Sequence, residues 1–192
     1  CYAGDRGTPS TGGPVTPYHQ MDRGQLLAAL EMFAKNWLAH DGCWFLAAEA
    51  ERGMEAAIRL DAAAWGRFAA AEARRILDAF GVPRDGGLEA LERALGLRMY
   101  ALINEQHCEW SADRSTLRFR MDVCRVQETR RRKGLADFPC ASIGVVEFAT
   151  FARTVDPRIR TRCVHCPPDA PEGTYCAWEF SLGNDDAEGR PR

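Results

Sequence analysis

The hydrophobic period of the chain changes near its middle, and this change limits the fold more than any other feature. In the first half, apolar residues recur at intervals of four, three and four positions, as in Leu26, Leu30, Phe33 and Trp37. That spacing predicts an amphipathic helix. In the second half, apolar and polar residues alternate over Leu117–Val123, which predicts a half-buried strand. Helices followed by strands indicate an α+β protein.

Turn signals divide the helical half into several predicted helices. The His-Asp-Gly sequence at 40–42 is predicted to end the first helix, with its glycine as a left-handed cap, and Cys43–Glu51 resumes the helical pattern. Asp61 is predicted to open a further helix that stops at Gly81, and a short leucine-rich helix should end at Gly96.

The second half predicts a sheet with helices inserted between its strands. Strands are expected at 106–110, 117–123, 159–163 and 174–182, and helices at 125–133 and 139–155. The predicted fold class is α+β, an N-terminal helical layer packed on a small antiparallel sheet with crossover helices. We expect one domain over 21–182, with disordered tails at 1–20 and 183–192 because these segments lack an apolar period.

Composition narrows the classes of function. The chain has 192 residues, 46% of them hydrophobic, and a net charge of −2. This is enough for one core, and the charge balance argues against a basic nucleic-acid binder. No apolar run has the length of a membrane span, and the start carries no secretory pattern. We therefore expect a cytoplasmic protein with a small-molecule ligand, no nucleic acid and no membrane partner, and leave a homo-oligomer open.

Eight cysteines are the unusual feature, and six of them lie after residue 100. Cys163 and Cys166 have the two-residue spacing that lets a turn present both sulfurs to one metal ion. Cys163 and Cys176 share the apolar parity of two predicted neighbouring strands, so they could meet across the sheet. Cys140 or Cys124 could complete a four-sulfur site for zinc or an iron–sulfur cluster. The alternative is that these thiols are small buried apolar groups, since free cysteine is often buried.

Cys140 is the candidate nucleophile. It follows Pro139 at a predicted helix start, where the positive end of the helix dipole favours the thiolate. We expect it to be alkylated faster than Cys43, which lies in an apolar helical sequence. The alternative is a buried cysteine at a helix start without special reactivity.

Other candidates surround the same predicted elements. Cys124 and Glu128 are four residues apart, so on a helix they share one face and could act as nucleophile and base. An exposed Glu128 paired with a nearby arginine is the alternative. Arg125 could hold a carboxylate of the ligand. His107 could act as a base near neutral pH, or be an ordinary exposed strand residue.

The sequence resembles a known family in its second half. From Val123 to Phe180 it is similar to the L-2-amino-thiazoline-4-carboxylic acid hydrolase family, and the shared features are Cys124-x-x-x-Glu128, Gly134, Cys140, Val155-Asp156-Pro157 and Gly173-x-x-Cys176-x-Trp178-x-Phe180. The resemblance implies an enzyme that opens a cyclic C–N bond, with Trp178 added to the ligand-binding candidates. It also suggests a distant kinship with 4-vinyl-reductase-type small-molecule-binding domains.

The whole span Met21–Leu182 looks like a branch of cytosolic proteins related to that family. The strings that carry this likeness include Asn36-Trp37, Ala101-Leu102-Ile103-Asn104-Glu105-Gln106, Asp137-Phe138-Pro139-Cys140 and Tyr175-Cys176-Ala177-Trp178-Glu179-Phe180. Two hypotheses follow. One is a thiol enzyme acting on a small anionic substrate through Cys140, Cys124 and Glu128. The other is a metal- or cluster-binding sensor that uses Cys163, Cys166, Cys176 and Cys140.

Overall fold

The structure is a computed structural model that describes residues 17–183. These residues form four α-helices, four β-strands and two short 3-10 turns. The helices are α1 (Arg23–Phe80), α2 (Gly87–Gly96), α3 (Arg125–Arg132) and α4 (Ala141–Val155). The strands are β1 (Glu105–Trp110), β2 (Thr116–Val123), β3 (Ile159–His165) and β4 (Cys176–Leu182), and the turns are Pro17–Gln20 and Met99–Leu102.

The strands form one antiparallel sheet in the order β1-β2-β4-β3. Alternation in β2 buries Leu117, Phe119 and Met121 on one face. That face packs against the helices, where the Phe148 ring of α4 contacts Phe119 and other aromatic rings of the sheet. The opposite face carries arginine–glutamate pairs such as Arg118–Glu179. The predicted α+β class is therefore confirmed.

The first half of the chain differs from the prediction. Where three helices were expected, α1 runs from Arg23 to Phe80 and is broken only at Gly53 among the positions it contains. Gly42, the predicted left-handed cap, continues the helix. Alanine-rich sequence on both sides favours helix propagation, so the polar and glycine residues at 40–42 are tolerated inside it. Gly53 has φ 79° and ψ 166°, a conformation that a side chain would strain.

The end of the predicted N-terminal tail also differs. Residues Pro17–Gln20 form a 3-10 turn, and the ring of Tyr18 lies 5.9 Å from that of Phe33. Residues 1–16 and 184–192 of the predicted tails lie outside the described residues.

The strand register corrects one geometric expectation. β3 and β4 pair as predicted, but Cys163 lies opposite Trp178 rather than opposite Cys176. Cys176 pairs instead with Met121 of β2. A register shift between Cys163 and His165 bends the end of β3, as a bulge does. Cys163 and Cys176 are therefore not directly opposite each other on the paired strands.

A buried ion-pair network joins the helices near the sheet. The guanidinium of Arg98 donates to Glu72 of α1 at 2.9 Å and to Glu147 of α4 at 2.7 Å. It also lies over four aromatic rings, those of Trp65, Tyr100, Phe148 and Phe151. The network fixes α1 and α4 relative to each other beside the site described next.

Candidate functional site

A cavity of about 310 Å³ lies between the first part of α1, the start of α3, the start of α4 and one end of the sheet. Most of its wall is apolar and largely aromatic, formed by Leu38, Phe45, Trp65, Met121, Phe138, Ile143, Phe148 and Trp178. The polar groups on the wall include four thiols, three carboxylates and four cations: Cys43, Cys124, Cys140, Cys176, Asp41, Asp61, Glu147, Lys35, Arg125, Arg130 and Lys133. A pocket of this kind is typical of small-molecule sites.

Cys140 lies on the cavity wall at the start of α4. The segment that leads to it is held by Gln127, whose amide nitrogen donates to the Phe138 carbonyl and whose amide oxygen accepts from the Phe138 N–H. The same Gln127 nitrogen lies 4.0 Å from the Cys140 sulfur. A hydrogen bond from the thiol of Cys166 lowers the pKa of Cys140, although burial opposes this effect. The neighbouring thiol therefore stabilises the Cys140 thiolate.

Cys166 is the centre of the thiol cluster, which comprises Cys140, Cys163, Cys166 and Cys176. It is buried, its sulfur lies 3.4 Å from that of Cys163, and it hydrogen-bonds with Cys140 and Cys176. Those two hydrogen bonds raise the pKa of Cys166 strongly, so it holds its proton. The four predicted cysteines are thus brought together, with Cys166 behind Cys140 and outside the cavity lining.

The predicted metal site finds no support in residues 17–183. Over that range, no group of three or more histidine, cysteine, aspartate or glutamate side chains is arranged to hold a metal ion. The other three thiols of the predicted site are neighbours of Cys166, which holds its proton, whereas a cysteine that binds a metal ion does so as the thiolate. We derive no chemistry through zinc or an iron–sulfur cluster.

Within the described residues, Cys124 and Glu128 do not form the predicted nucleophile–base pair. Cys124 lines the cavity, and burial raises the pKa of its thiol to about 12. The Glu128 carboxylate instead accepts a hydrogen bond from the Tyr175 hydroxyl, and it does not line the cavity. Within the described residues no hydrogen bond links the two side chains. Cys124 is therefore a neutral wall thiol, and Glu128 positions Tyr175.

Not all of the three predicted ligand-binding residues lie at the cavity. Arg125 lines the cavity, and in the part of the chain described here its side chain makes no ion pair or hydrogen bond. Trp178 also lines the cavity and is fully buried. His107 lies on edge strand β1, exposed and 3.2 Å from Asp122, and it is not part of the wall. Two of the three candidates therefore belong to the site.

Three carboxylates on the wall were not predicted from the sequence. Burial raises the pKa of Asp41 and of Glu147. Burial, aided by the neighbouring charges of Asp41 and Glu147, raises the pKa of Asp61 to about 7. The only sequence signal for these residues was an acidic side chain between apolar helix positions, as at Asp61, one helical turn before Trp65. Asp61 had a simpler interpretation as the start of a helix, and Asp41 had one as part of a helix end.

Gly144 allows α4 to approach the sheet at the cavity. A Cβ atom at this position would lie 2.4 Å from the Trp178 ring, which is closer than side-chain atoms can approach. The absent side chain therefore lets the indole of Trp178 lie against the backbone of α4 at Gly144.

These features define an α+β protein with an apolar cavity and a thiol cluster on one side of it. Residues 19–182 match a family of unknown function, DUF6125, and the chain belongs to that family. No curated protein matches it, and the comparisons give no support to the resemblance to the thiazoline hydrolases.

Among solved structures, the chain is similar to one of a trafficking protein particle complex subunit 3 from Naegleria fowleri covalently bound to palmitic acid. The identity is 10% and the TM-score is 0.48, over 82% of this chain and 96% of that chain. In residues 17–183, no helix combines the length and the apolarity needed to cross a membrane.

Proposed function

We propose that this protein is a small-molecule enzyme in which the Cys140 thiolate attacks a ligand bound in the cavity. The observation that carries the proposal is the position of Cys140 on the wall of an apolar cavity, with the Cys166 thiol donating to it from behind. A thiolate held in this way is the reactive form of cysteine.

The lining supports a ligand with an apolar body and one anionic group. Aromatic side chains such as Trp65 and Trp178 supply the apolar surface. Arg125 supplies a cation that has no ion-pair partner in the described chain, whereas Lys35 is paired with Glu31. A guanidinium can bind a carboxylate through two parallel hydrogen bonds. The ligand's anionic group is therefore proposed to lie at Arg125.

The proposed reaction is addition of the Cys140 sulfur to an electrophilic carbon of the ligand. Asp61 is the proposed proton donor, because a carboxyl group with a pKa of about 7 is present in both the protonated and the ionised form near neutral pH. A cyclic C–N bond is the target that the hydrolase resemblance implies. A cytoplasmic location, which would keep the thiols reduced, is part of the same proposal.

The pH dependence of alkylation tests the state of Cys140. The full chain is treated with iodoacetamide at a series of pH values, and each cysteine is followed by mass spectrometry. Cys140 should reach half its maximal rate below pH 9, the ordinary value for the thiol, while Cys124, with its pKa near 12, stays unlabelled. Cys43 lies in an apolar helical sequence but is exposed, so it is not the reference thiol, and its predicted slower alkylation stays a prediction.

A matched pair of variants tests whether the Cys166 thiol is what lowers the pKa of Cys140. C166A removes the hydrogen-bond donor and should move the Cys140 midpoint to higher pH, while C166S keeps a donor and should restore a lower midpoint. A Cys140 midpoint at or above pH 9 in the natural protein would overturn the proposal.

The charge of the ligand has its own test. The rate of Cys140 alkylation by iodoacetate, an anion, is divided by the rate with neutral iodoacetamide. R125Q should lower this ratio several-fold, whereas R84Q, which changes an exposed arginine away from the cavity, should leave it unchanged. Equal ratios in R125Q and the natural protein would remove Arg125 from the site.

The metal- or cluster-binding hypothesis stays a prediction. Elemental analysis and an absorption spectrum of protein purified without air would test it directly.

A further inference from the structure

We propose that Cys140, Cys166 and Cys163 form a thiol–disulfide relay that reduces an organic hydroperoxide in the cavity and transfers the resulting disulfide to the end of β3. The proposal rests on the proposed function in one respect, since it needs the Cys140 thiolate at the cavity wall. It adds a second class of substrate and a second activity to that site.

The first argument is the position of Cys166 between the other thiols. Its sulfur is 3.4 Å from that of Cys163, and the Cys140 thiol of the cavity wall is its neighbour on the other side of the proposed exchange. A sulfur can belong to only one disulfide, so Cys166 can be joined to Cys140 or to Cys163 but not to both. Two alternative disulfides that share one cysteine are the arrangement needed for transfer by thiol–disulfide exchange.

The second argument is the position of the thiols relative to the cavity. Cys140 and Cys163 are both half-buried and Cys166 is buried, but only Cys140 of these three lines the cavity. The register shift between Cys163 and His165 ends the regular pairing of β3 there. The Cys163–Cys166 disulfide would therefore lie outside the cavity lining, where an external dithiol can reduce it without entering the ligand site.

The third argument is the apolar lining, which suits an organic hydroperoxide better than hydrogen peroxide. Aromatic and aliphatic side chains form most of the wall around Cys140. Burial of an apolar body there is favourable, and it would hold the peroxide oxygens close to the sulfur.

The chemistry balances in three steps. The Cys140 thiolate attacks the terminal OH oxygen of the hydroperoxide, so that an S–O bond forms, the O–O bond breaks, and the alkoxide takes a proton from solvent to leave as an alcohol. The Cys166 thiol then attacks the Cys140 sulfenic acid, forming the Cys140–Cys166 disulfide and releasing water. Finally Cys163 gives its proton to solvent and attacks Cys166 as a thiolate, and Cys140 leaves as a thiolate. In sum, one hydroperoxide and two thiols give one alcohol, one water and one disulfide.

The test treats the reduced full chain with one equivalent of cumene hydroperoxide. Samples are quenched with N-ethylmaleimide at intervals, and disulfide-linked peptides are identified by mass spectrometry. In the natural protein the Cys140–Cys166 disulfide should appear first and the Cys163–Cys166 disulfide should replace it. C163S should stop at Cys140–Cys166. C140S should form Cys163–Cys166 about tenfold more slowly, because the remaining pair lacks the activated thiolate.

Two further variants make the test specific. C166S keeps a donor to Cys140 but forms no disulfide, so a sulfenic acid on Cys140 should accumulate and react with dimedone. C108S changes a half-buried thiol of β1 that lies outside the cavity lining and outside the thiol cluster, and it should behave like the natural protein. If a buried substitution prevents folding, the order of the two disulfides in the natural protein still decides the question.

The outcomes separate this proposal from the proposed function. Lack of any disulfide at Cys166, or equal oxidation rates in C140S and the natural protein, overturns the relay. If Cys140 is nonetheless alkylated as a thiolate, the proposed function stands without it. If Cys140 has an ordinary midpoint, the proposed function fails, and the relay fails with it.

Discussion

Asp61 has a carboxyl group whose ionisation opposes folding. Its pKa is about 7 in the folded protein and near 3.8 when it is unfolded. Between these values the folded state binds more protons than the unfolded state, so the contribution of Asp61 to stability falls as pH rises from about 4 to 7 and stays low above that range. A variant that lacks the Asp61 carboxylate should not lose this part of its stability as the pH rises.

We expect Asp61→Asn to be more stable than the natural protein at pH 8 by about 1 kcal/mol, after allowance for the partial exposure of the group. The asparagine oxygen can still accept the hydrogen bond from Trp65. At pH 4 the difference should be small. Urea unfolding at the two pH values measures it, and a difference that is the same at both would show that Asp61 ionises normally.

Arg98 is the residue on which the buried charges depend. Its side chain is 3% exposed and its two glutamate partners are 9% and 10% exposed. Arg98→Met would keep much of the apolar stem and leave Glu72 and Glu147 buried without a cation. We expect a loss of about 3–5 kcal/mol at neutral pH, and a smaller loss at low pH, where the glutamates are protonated.

Arg84→Met is the matched control for this change. The Arg84–Asp78 pair has side chains that are 52% and 70% exposed. Its removal should change the free energy of unfolding by about 0.5 kcal/mol or less. Similar losses in the two variants would show that the Arg98 network does not hold the helices together.

At the scale of elements, the break in α1 depends on one residue. Gly53→Ala would put a side chain at φ 79° in an exposed part of the helix, where nothing lies within 4 Å of the new Cβ. The cost is therefore conformational, and we expect a loss of about 1–2 kcal/mol. The alternative for the variant is to straighten α1, which would increase its helical circular dichroism.

Gly42→Ala is the control within the same helix. Gly42 also has open space around it, but its backbone is helical, so alanine should stabilise the protein by up to about 1 kcal/mol. Opposite signs for Gly42→Ala and Gly53→Ala in thermal unfolding would confirm the position of the break. A stabilising Gly53→Ala would mean that α1 is straight in solution.

At the scale of the whole molecule, stability is distributed unevenly. Of the eight buried residues of α1, only Ala34 precedes Gly53. The later part of the helix packs into the main core through Ala69, Ala73, Ile76 and Leu77. Segments with few buried apolar contacts open locally at low cost. The cavity is thus formed by a loosely held helix segment on one side and a firm core on the other.

We therefore expect faster amide hydrogen exchange in residues 23–52 than in residues 57–80. The measurement is mass spectrometry of peptides from the natural protein after exchange. A compound that binds the cavity should slow exchange in the first segment, because that segment supplies much of the wall. Equal protection of the two segments would contradict this division of α1.

Local sequence patterns were enough to predict most of the elements and part of the site. Alternation predicted β2 and the pairing of β3 with β4, because the period of a strand is a local property. Cys140 was placed correctly at the start of α4, and Cys163 and Cys166 near each other, because a helix start and a short spacing are also local. The long course of α1 was not predicted, since polar residues at 40–42 can either end a helix or lie within it.

Which side chains share the cavity depends on how the elements pack against one another. Asp41, Asp61 and Glu147 come from α1 and α4, and no local pattern shows that packing brings them together and raises their pKa values. The same holds for Cys166, whose hydrogen bond to Cys140 depends on a register shift in β3 and on the path of the following loop. Ionisation and reactivity depend on burial and on neighbours distant in sequence, and these exist only once the chain is packed.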